Sequence, residues 1–296
     1  MGDILLVGGS GFIGSHVASR LQANSHRVAV FDIVPPTRAS GAEYHRGDVF
    51  DAQALAPAMR GKAAVVSLVG LADIGRCQKH PDESFHLNVE SLSAVLEASR
   101  RADVRRIVFP SSAAVYGKVE TVPIDETTIP NPASVYGWHK LMGELDLRAY
   151  RQSYGLNYVI LRLFNVVGSG NKGVIHHYVE SALESHAIRG FGRDQLRDFV
   201  DASDVAEAFT LAAAKTGIVD KVINIGSGQG IRIAELAAMI QSVVPGTSIE
   251  FEEKADYIPY HSVADITLAK NLLDFRPRAG RDAVQSLVKE LVGRGR

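Results

Sequence analysis

From Asp3 to about residue 165, short apolar runs alternate with longer stretches of helical character. Ile4-Leu5-Leu6-Val7, Val28-Ala29-Val30-Phe31, Ala63-Ala64-Val65-Val66, Ile107-Val108-Phe109 and Tyr158-Val159-Ile160-Leu161 are uninterrupted by polar residues. Such runs are the pattern of strands buried on both faces of a parallel sheet. Helices are predicted between them near 12–24, 84–101 and 135–153. In the second, Leu87, Leu92, Val95 and Leu96 keep roughly helical spacing, so one face is buried. Strands and helices in this alternation form βαβ units, and the predicted class is α/β with a doubly wound parallel sheet.

After Leu163 the rhythm breaks at Gly168-Ser169-Gly170-Asn171-Lys172-Gly173, the best candidate for a domain boundary. A helix, a short strand around Phe199, a helix from about Ser203, the run Val222-Ile223-Asn224-Ile225, and helices near 232–243 and 281–292 follow. The expected division is a larger βαβ domain over 1–165, to which 197–225 returns, and a smaller C-terminal lobe made of 166–196 and 226–296. Arg276, Arg278, Arg281, Arg294 and Arg296 read as a solvated tail.

Composition narrows the function. With 296 residues, 46% hydrophobic and 22% charged, the chain is ordinary globular protein, long enough to need no disulfide or metal staple. Its net charge of −1 leaves no basic field for nucleic acid or an anionic membrane. The single Cys77 makes no intramolecular disulfide and reads as a small residue near a loop. No Cys/His cluster has zinc-ligand spacing, so no metal is expected. Ile4–Val7 follows Asp3 and stops at glycine, unlike a secretion signal, and no window reaches the roughly 18 apolar residues of a membrane span. A cytoplasmic location is the expectation.

Gly8-Gly9-Ser10-Gly11-Phe12-Ile13-Gly14 follows the first strand and opens the first helix. In that context glycines admit positive φ, let backbone amides approach a pyrophosphate and let helix and strand pack closely, while the helix N-terminus adds partial positive charge. A merely tight turn is the plainer reading. Asp32 ends the second strand 18 residues past Gly14, near the offset at which a carboxylate receives the adenosine ribose hydroxyls and repels a 2′-phosphate, which favours NAD over NADP. Asp48-Val49 ends the next extended segment, where an adenine amine could be met or where Asp48 is simply solvated.

Tyr136 and Lys140 form the only Tyr-x-x-x-Lys in the chain and rise from one helix face. Spacing alone proves little; their position after Ser112 and before Arg162-Leu163-Phe164-Asn165 carries the argument. With Gly8/Gly11/Gly14, Asp32, Asn88 in Leu87-Asn88-Val89, Ser111-Ser112-Ala113-Ala114-Val115-Tyr116-Gly117 and Arg197-Asp198-Phe199-Val200, the chain resembles the extended short-chain dehydrogenase/reductases, in particular the NAD-dependent epimerase/dehydratase group. The resemblance covers most of the chain.

The resemblance implies a Rossmann-like fold, a substrate-binding smaller lobe, NAD as cofactor, a nucleotide sugar as substrate, and a homodimer joined through the helices near 84–101 and 135–153. It implies that Ser112, Tyr136 and Lys140 are catalytic, Lys140 also holding the nicotinamide ribose. Gly8, Gly11, Phe12, Ile13, Gly14, Asp32, Asp48, Val49 and Asn88 would bind cofactor; Asn165 and Arg197 would bind substrate beside Ser112. Ser111 is set aside because neighbouring strand residues point to opposite faces. Asn165 is also readable as a loop cap, and Arg197 as a partner of Asp194. A phenol is a poor base at neutral pH, so Tyr136 needs nearby positive charge. In related dehydratases the two residues after the serine resemble an acidic pair that moves protons during elimination; here they are Ala113 and Ala114. Epimerisation at sugar carbon 4, through a transient 4-keto sugar, is therefore the first expectation. Keto reduction and, from another class, a non-catalytic NAD-binding regulator are the alternatives. Two departures matter. Gly192-Arg193-Asp194 stands where relatives read Gly-Asp-Gly, and Glu253, with Lys254 beside it, stands where a second arginine precedes Asp256.

Overall fold

The computed structural model describes residues 3–36, 41–252 and 261–295. Its first half runs β1 (Asp3–Val7), α1 (Phe12–Ala23), β2 (Arg27–Asp32), β3 (Glu43–Arg46), α2 (Ala52–Met59), β4 (Ala64–Ser67), α3 (Ile74–Lys79), α4 (Pro81–Phe85), α5 (Ser91–Arg101), β5 (Arg106–Ser112), α6 (Val135–Tyr154) and β6 (Asn157–Leu163). There follow β7 (Asn165–Val167), α7 (Val174–Ser185), β8 (Ala187–Phe191), β9 (Leu196–Asp201), α8 (Ala202–Ala214), β10 (Lys221–Ile225), β11 (Gly230–Arg232), α9 (Ile233–Val243), β12 (Ser248–Glu252), α10 (Thr267–Leu273) and α11 (Gly280–Arg294).

Seven strands form one sheet in the order β3-β2-β1-β4-β5-β6-β10, with every pairing parallel. Strand alternation sorts its side chains into two cores. Ile4, Leu6, Val30 and Val66 pack against α1 and α8 through Val17, Leu21, Val205 and Phe209. Leu5, Val7, Ala29 and Val65 pack against α2, α5 and α6 through Leu55, Met59, Leu96 and Leu147. With helices on both faces and the order reversing between β1 and β4, this is the doubly wound α/β fold expected, whose ligands sit at the carboxyl ends of the strands beside the reversal.

A three-stranded sheet, β7-β9-β11, and a two-stranded pair, β8-β12, stand beyond that edge around a third core containing Val179, Phe199, Leu236 and Val284. The expected return of 197–225 to the large sheet begins only at α8. β9 pairs with β7 and β11, and it sends Phe199 into the third core while Val200 joins the first. The strand is a seam between the two units.

The helix expected at 84–101 starts at Pro81, whose fixed φ and missing N–H suit a first helical position, and contains a widened π turn at His86–Glu90. Arg276, Arg278, Arg281 and Arg294 are exposed, as expected of solvated arginines, but they do not form a tail. Arg278 pairs with Asp201, the N-cap of α8, Arg281 pairs with Glu235 of α9, and Arg294 lies within α11 paired to Glu290. For Arg278 and Arg281 the partner carboxylate lies on a distant element that their own local sequence does not reveal, whereas the Arg294 pair is an i, i+4 contact within α11. Arg296 lies outside the described residues.

Candidate active site

At the carboxyl end of β1, Gly8 has φ +80°, and a Cβ there would stand 2.7 Å from the Val69 nitrogen. Gly14 lies so close to the turn that a Cβ would meet the Gly9 carbonyl oxygen at 2.5 Å. Around Gly11 the nearest atom to such a Cβ is 3.7 Å away. Gly11 is the N-cap of α1, with no side-chain cap and no acidic residue in the first turn. The first amides of this twelve-residue helix are therefore donors backed by the helix dipole, a setting that stabilises an anion. Asp32 ties the strand end to the turn, because its Oδ2 accepts from the Ser10 amide at 2.9 Å and its Oδ1 from the Val34 amide at 3.2 Å. Asp48 lies exposed beyond β3 and accepts from the Phe50 amide at 3.1 Å, whereas Val49 is core.

One cavity of about 480 Å³ runs from Gly8, Gly11, Phe12, Ile13 and Gly14 to Ser112, Tyr136, Lys140 and Asn165. Ser112 ends β5, and its Oγ accepts from the Ala114 amide at 3.1 Å, capping a short 3₁₀ turn. The Ser112 hydroxyl also faces the Tyr136 hydroxyl. Burial pushes the Tyr136 phenol up to about 12, the Ser112 hydrogen bond pulling the other way. Ser134 caps α6 by accepting from the Gly137 amide at 3.2 Å, which sets the first turn carrying Tyr136. One turn on, the Lys140 amine lies 4.9 Å from the Phe109 ring centroid and 5.8 Å from that of Tyr136. Its contacts are aromatic faces, which attract a cation, and burial pushes its pKa down to about 8.

Asn88 stands behind the wall of this cavity. Its side chain is buried in the π turn, donating to the Leu71 carbonyl and accepting from the Leu71 amide, both at 3.1 Å. Asp32, Asp48 and Val49 lie outside the cavity along the ends of β2 and β3. Ser111 turns the opposite way from Ser112 and donates to Glu144 at 2.6 Å. Glu144 is fully buried and receives a two-pronged contact from Arg162, at 2.9 and 2.7 Å. This pair, which braces β5, β6 and α6 beneath the site, went unread in the sequence. Its signal is there, since Glu144 follows Lys140 by four residues as Lys140 follows Tyr136, placing all three on one face.

Asn165 lies in the cavity wall and donates to the Asp198 carbonyl at 2.9 Å. It also lines a second cavity of about 710 Å³ with Tyr178, Arg189, Phe191, Gln195 and Arg197. Arg197 is buried on β9 and donates to the Gln195 side chain at 2.7 Å and the Leu196 carbonyl at 3.1 Å. Burial pushes its pKa down to about 10. The adjoining Asp198 carboxylate accepts from the amides of Ser227, Gly228 and Ala264, which pins β9 in place. Arg189 and Phe191 share the exposed face of β8; strand alternation is the sequence signal for both. Glu253, Lys254 and Asp256 lie outside the described residues. Among the described residues, no group of three or more His, Cys, Asp or Glu could hold a metal ion, and no helix is long and apolar enough to cross a membrane.

The sequence matches the NAD dependent epimerase/dehydratase family over residues 4–226. The chain belongs to that family. It is 32% identical to a UDP-glucose 4-epimerase of Streptomyces lividans, over 82% of this chain and 81% of that protein. It is equally 32% identical to a putative UDP-glucose 4-epimerase of Methanocaldococcus jannaschii, over 91% and 92%. Among solved structures, MoeE5 in complex with UDP-glucuronic acid and NAD superposes with a TM-score of 0.90 at 29% identity, covering all of both chains. The fold and the family expected from the motifs are therefore those found, and the protein is an NAD-dependent enzyme. Its residues fit that cofactor. The glycine cradle excludes any side chain at Gly8 and Gly14, uncapped amides stand at α1, and the Lys140 ammonium is buried against rings beside the cavity.

Proposed function

We propose that this protein is a nucleotide-sugar 4-epimerase acting on a UDP-hexose, with the glycine turn holding the cofactor pyrophosphate, Asp32 the adenosine ribose and Asp48-Val49 the adenine. The observation that carries the reading is the chemistry of the first cavity. Tyr136 and Lys140 are the only titratable side chains among its described lining residues, Ser112 stands beside them, and no carboxylate does. Such a site moves a proton on and off one hydroxyl but has no acid to expel water from a neighbouring carbon, and the buried Ala113 and Ala114 add none.

Bound NAD supplies a reversible hydride acceptor at the sugar carbon. Ser112 would hold the reacting oxygen, and Tyr136 would take its proton and return it. With the phenol at about 12, ionising it at pH 7 costs roughly 7 kcal/mol. Lys140 is the chain's own cation placed to lower that cost, and it would also donate to the nicotinamide ribose. Arg197 would grip the diphosphate, as suits its planar donors, with Asn165 at the junction of the two cavities and Phe191 and Tyr178 offering ring surface to the base. The solved relative's ligand, UDP-glucuronic acid, supports a UDP-linked sugar.

We also infer a homodimer. Trp138, Met142 and Leu145 form an exposed apolar stripe at i, i+4 and i+7 on α6, with exposed Phe85 on neighbouring α4, and two copies would bury it. Light scattering at micromolar concentration should give twice the chain mass. The single, buried Cys77 suits a cytoplasmic setting.

The test of function is NMR of UDP-glucose or UDP-galactose incubated with enzyme and NAD. Interconversion of the C4 epimers without accumulation of NADH is expected. Stoichiometric NADH would assign a dehydrogenase instead, and unchanged sugars with bound NAD would exclude this substrate class.

A further inference from the structure

The catalytic reading leaves unused a buried histidine between its two central residues. His139 lies three residues after Tyr136 and one before Lys140, only 8% exposed. Its Nδ1 lies 2.8 Å from the hydroxyl of fully buried Ser84 on α4, and its ring meets the Phe85 ring edge-to-face. The Ser84 hydroxyl also receives the Asn88 carboxamide nitrogen at 3.2 Å.

Donor arithmetic fixes the Asn88 end of this chain of contacts. The two Asn88 Nδ2 protons go to the Leu71 carbonyl and the Ser84 oxygen, while Oδ1 receives the Leu71 amide. Ser84 Oγ therefore bridges Asn88 and His139 Nδ1, and the same hydroxyl also reaches the Cys77 thiol. At the other end Gly70 is pressed against the same network. A Cβ on Gly70 would lie 2.7 Å from Asn88 Oδ1 and 3.6 Å from Lys140 Nζ. Gly70 and Leu71 both line the cavity.

We propose that His139 is a positioning residue: through its hydrogen bond to Ser84 it orients Asn88, which holds the Gly70-Leu71 wall at the Lys140 end of the cofactor cavity. The inference rests on the placement of NAD against Lys140 given above. The relay joins α4 and the π turn that continues it to α6, where His139 lies 55 residues beyond Ser84 along the chain. It also gives the π turn a purpose, because such widened turns re-aim a side chain at functional sites.

The experiment is equilibrium titration of NAD into the intact protein, with thermal melts as control. Each link is a buried hydrogen bond, so His139→Leu and Ser84→Ala should each weaken NAD by about 5- to 30-fold. The double variant should be no worse than the weaker single, because both cut the same relay. His139→Asn, which keeps a short acceptor, should stay within about 2-fold of wild type, a rescue that volume alone cannot produce. Should His139→Leu fail to fold, Ser84→Ala and His139→Asn carry the same contrast. Unchanged NAD affinity in Ser84→Ala, effects that multiply in the double variant, or Asn behaving as Leu would each overturn the relay. A wild type that binds no NAD would instead overturn the cofactor placement beneath it.

Discussion

At the Gly8 end of the cleft the surface is backbone, formed by a strand, the close-packed glycines Gly8 and Gly14 and the uncapped start of α1. At the Arg197 end it is side chain: Arg189, Phe191, Gln195 and Arg197 project from β8, β9 and the turn between them. A backbone site is specified within a dozen consecutive residues, and a side chain at Gly8 or Gly14 strains it directly. A side-chain site depends on how distant strands are held, here by the Asp198 carboxylate gathering amides from residues 227, 228 and 264. The first end can accordingly be common to many enzymes while the second varies with substrate.

The hardest test of this contrast removes chemistry from the middle of the cleft without touching either end. Tyr136→Phe keeps the ring in its packing and deletes the hydroxyl facing Ser112. General acid–base catalysis contributes about 10²- to 10⁴-fold, so kcat should fall by that range with NAD affinity unchanged. A variant retaining more than about a tenth of wild-type kcat would remove Tyr136 from the reaction.

Lys140 tests the middle through stability. Its amine titrates at about 8 instead of its ordinary 10.5 because it is buried. Between those values the unfolded chain binds more protons, so this group makes stability rise with pH across that window. Below about pH 8 its full cost, roughly 3 kcal/mol, opposes folding. Lys140→Met should therefore raise the melting temperature at pH 7 by several degrees while weakening NAD and lowering turnover. A lower melting temperature would mean that the ammonium stabilises the fold.

How much of this was legible in the sequence follows the same division. The βαβ alternation, the glycine turn and the strand ends Asp32 and Ser112 are local signals, and the sheet order and cavity place them at one edge. The π turn was not legible, since Leu87, Leu92, Val95 and Leu96 fit an uninterrupted helix and nothing in that spacing marks a widened turn at His86–Glu90. Arg278 and Arg281 were misread because their partners, Asp201 and Glu235, lie 77 and 46 residues away. Glu144 shows in its spacing from Tyr136 and Lys140, but its pairing with Arg162 could be seen only once β6 was laid beside β5 against α6.

At the Arg197 end, Arg197→Ala deletes donors that a diphosphate would use. A charge-assisted hydrogen bond contributes about 1.5–3 kcal/mol, so KM for the nucleotide sugar should rise roughly 10- to 150-fold with NAD affinity unchanged. If KM for every nucleotide sugar stays the same, the phosphates bind elsewhere and a smaller substrate must be sought.

The mildest effect is expected at Asp32, where backbone and side-chain roles meet. Its Oδ2 accepts the Ser10 amide and its Oδ1 the Val34 amide, so the carboxylate shapes the turn and, in the proposed cofactor placement, would present negative charge to the adenosine ribose. Asp32→Ala removes both roles and should weaken NAD and NADP together while narrowing the gap between them. Asp32→Asn keeps an acceptor for the Ser10 amide, gives up the longer bond from the Val34 amide, and removes the charge that repels a 2′-phosphate. Titration of the two cofactors into Asp32→Asn should leave the turn intact and shrink the preference for NAD by about tenfold, or about 1.4 kcal/mol. An undiminished preference in Asp32→Asn would place cofactor selection in the shape of the turn, making this end of the cleft backbone-determined throughout.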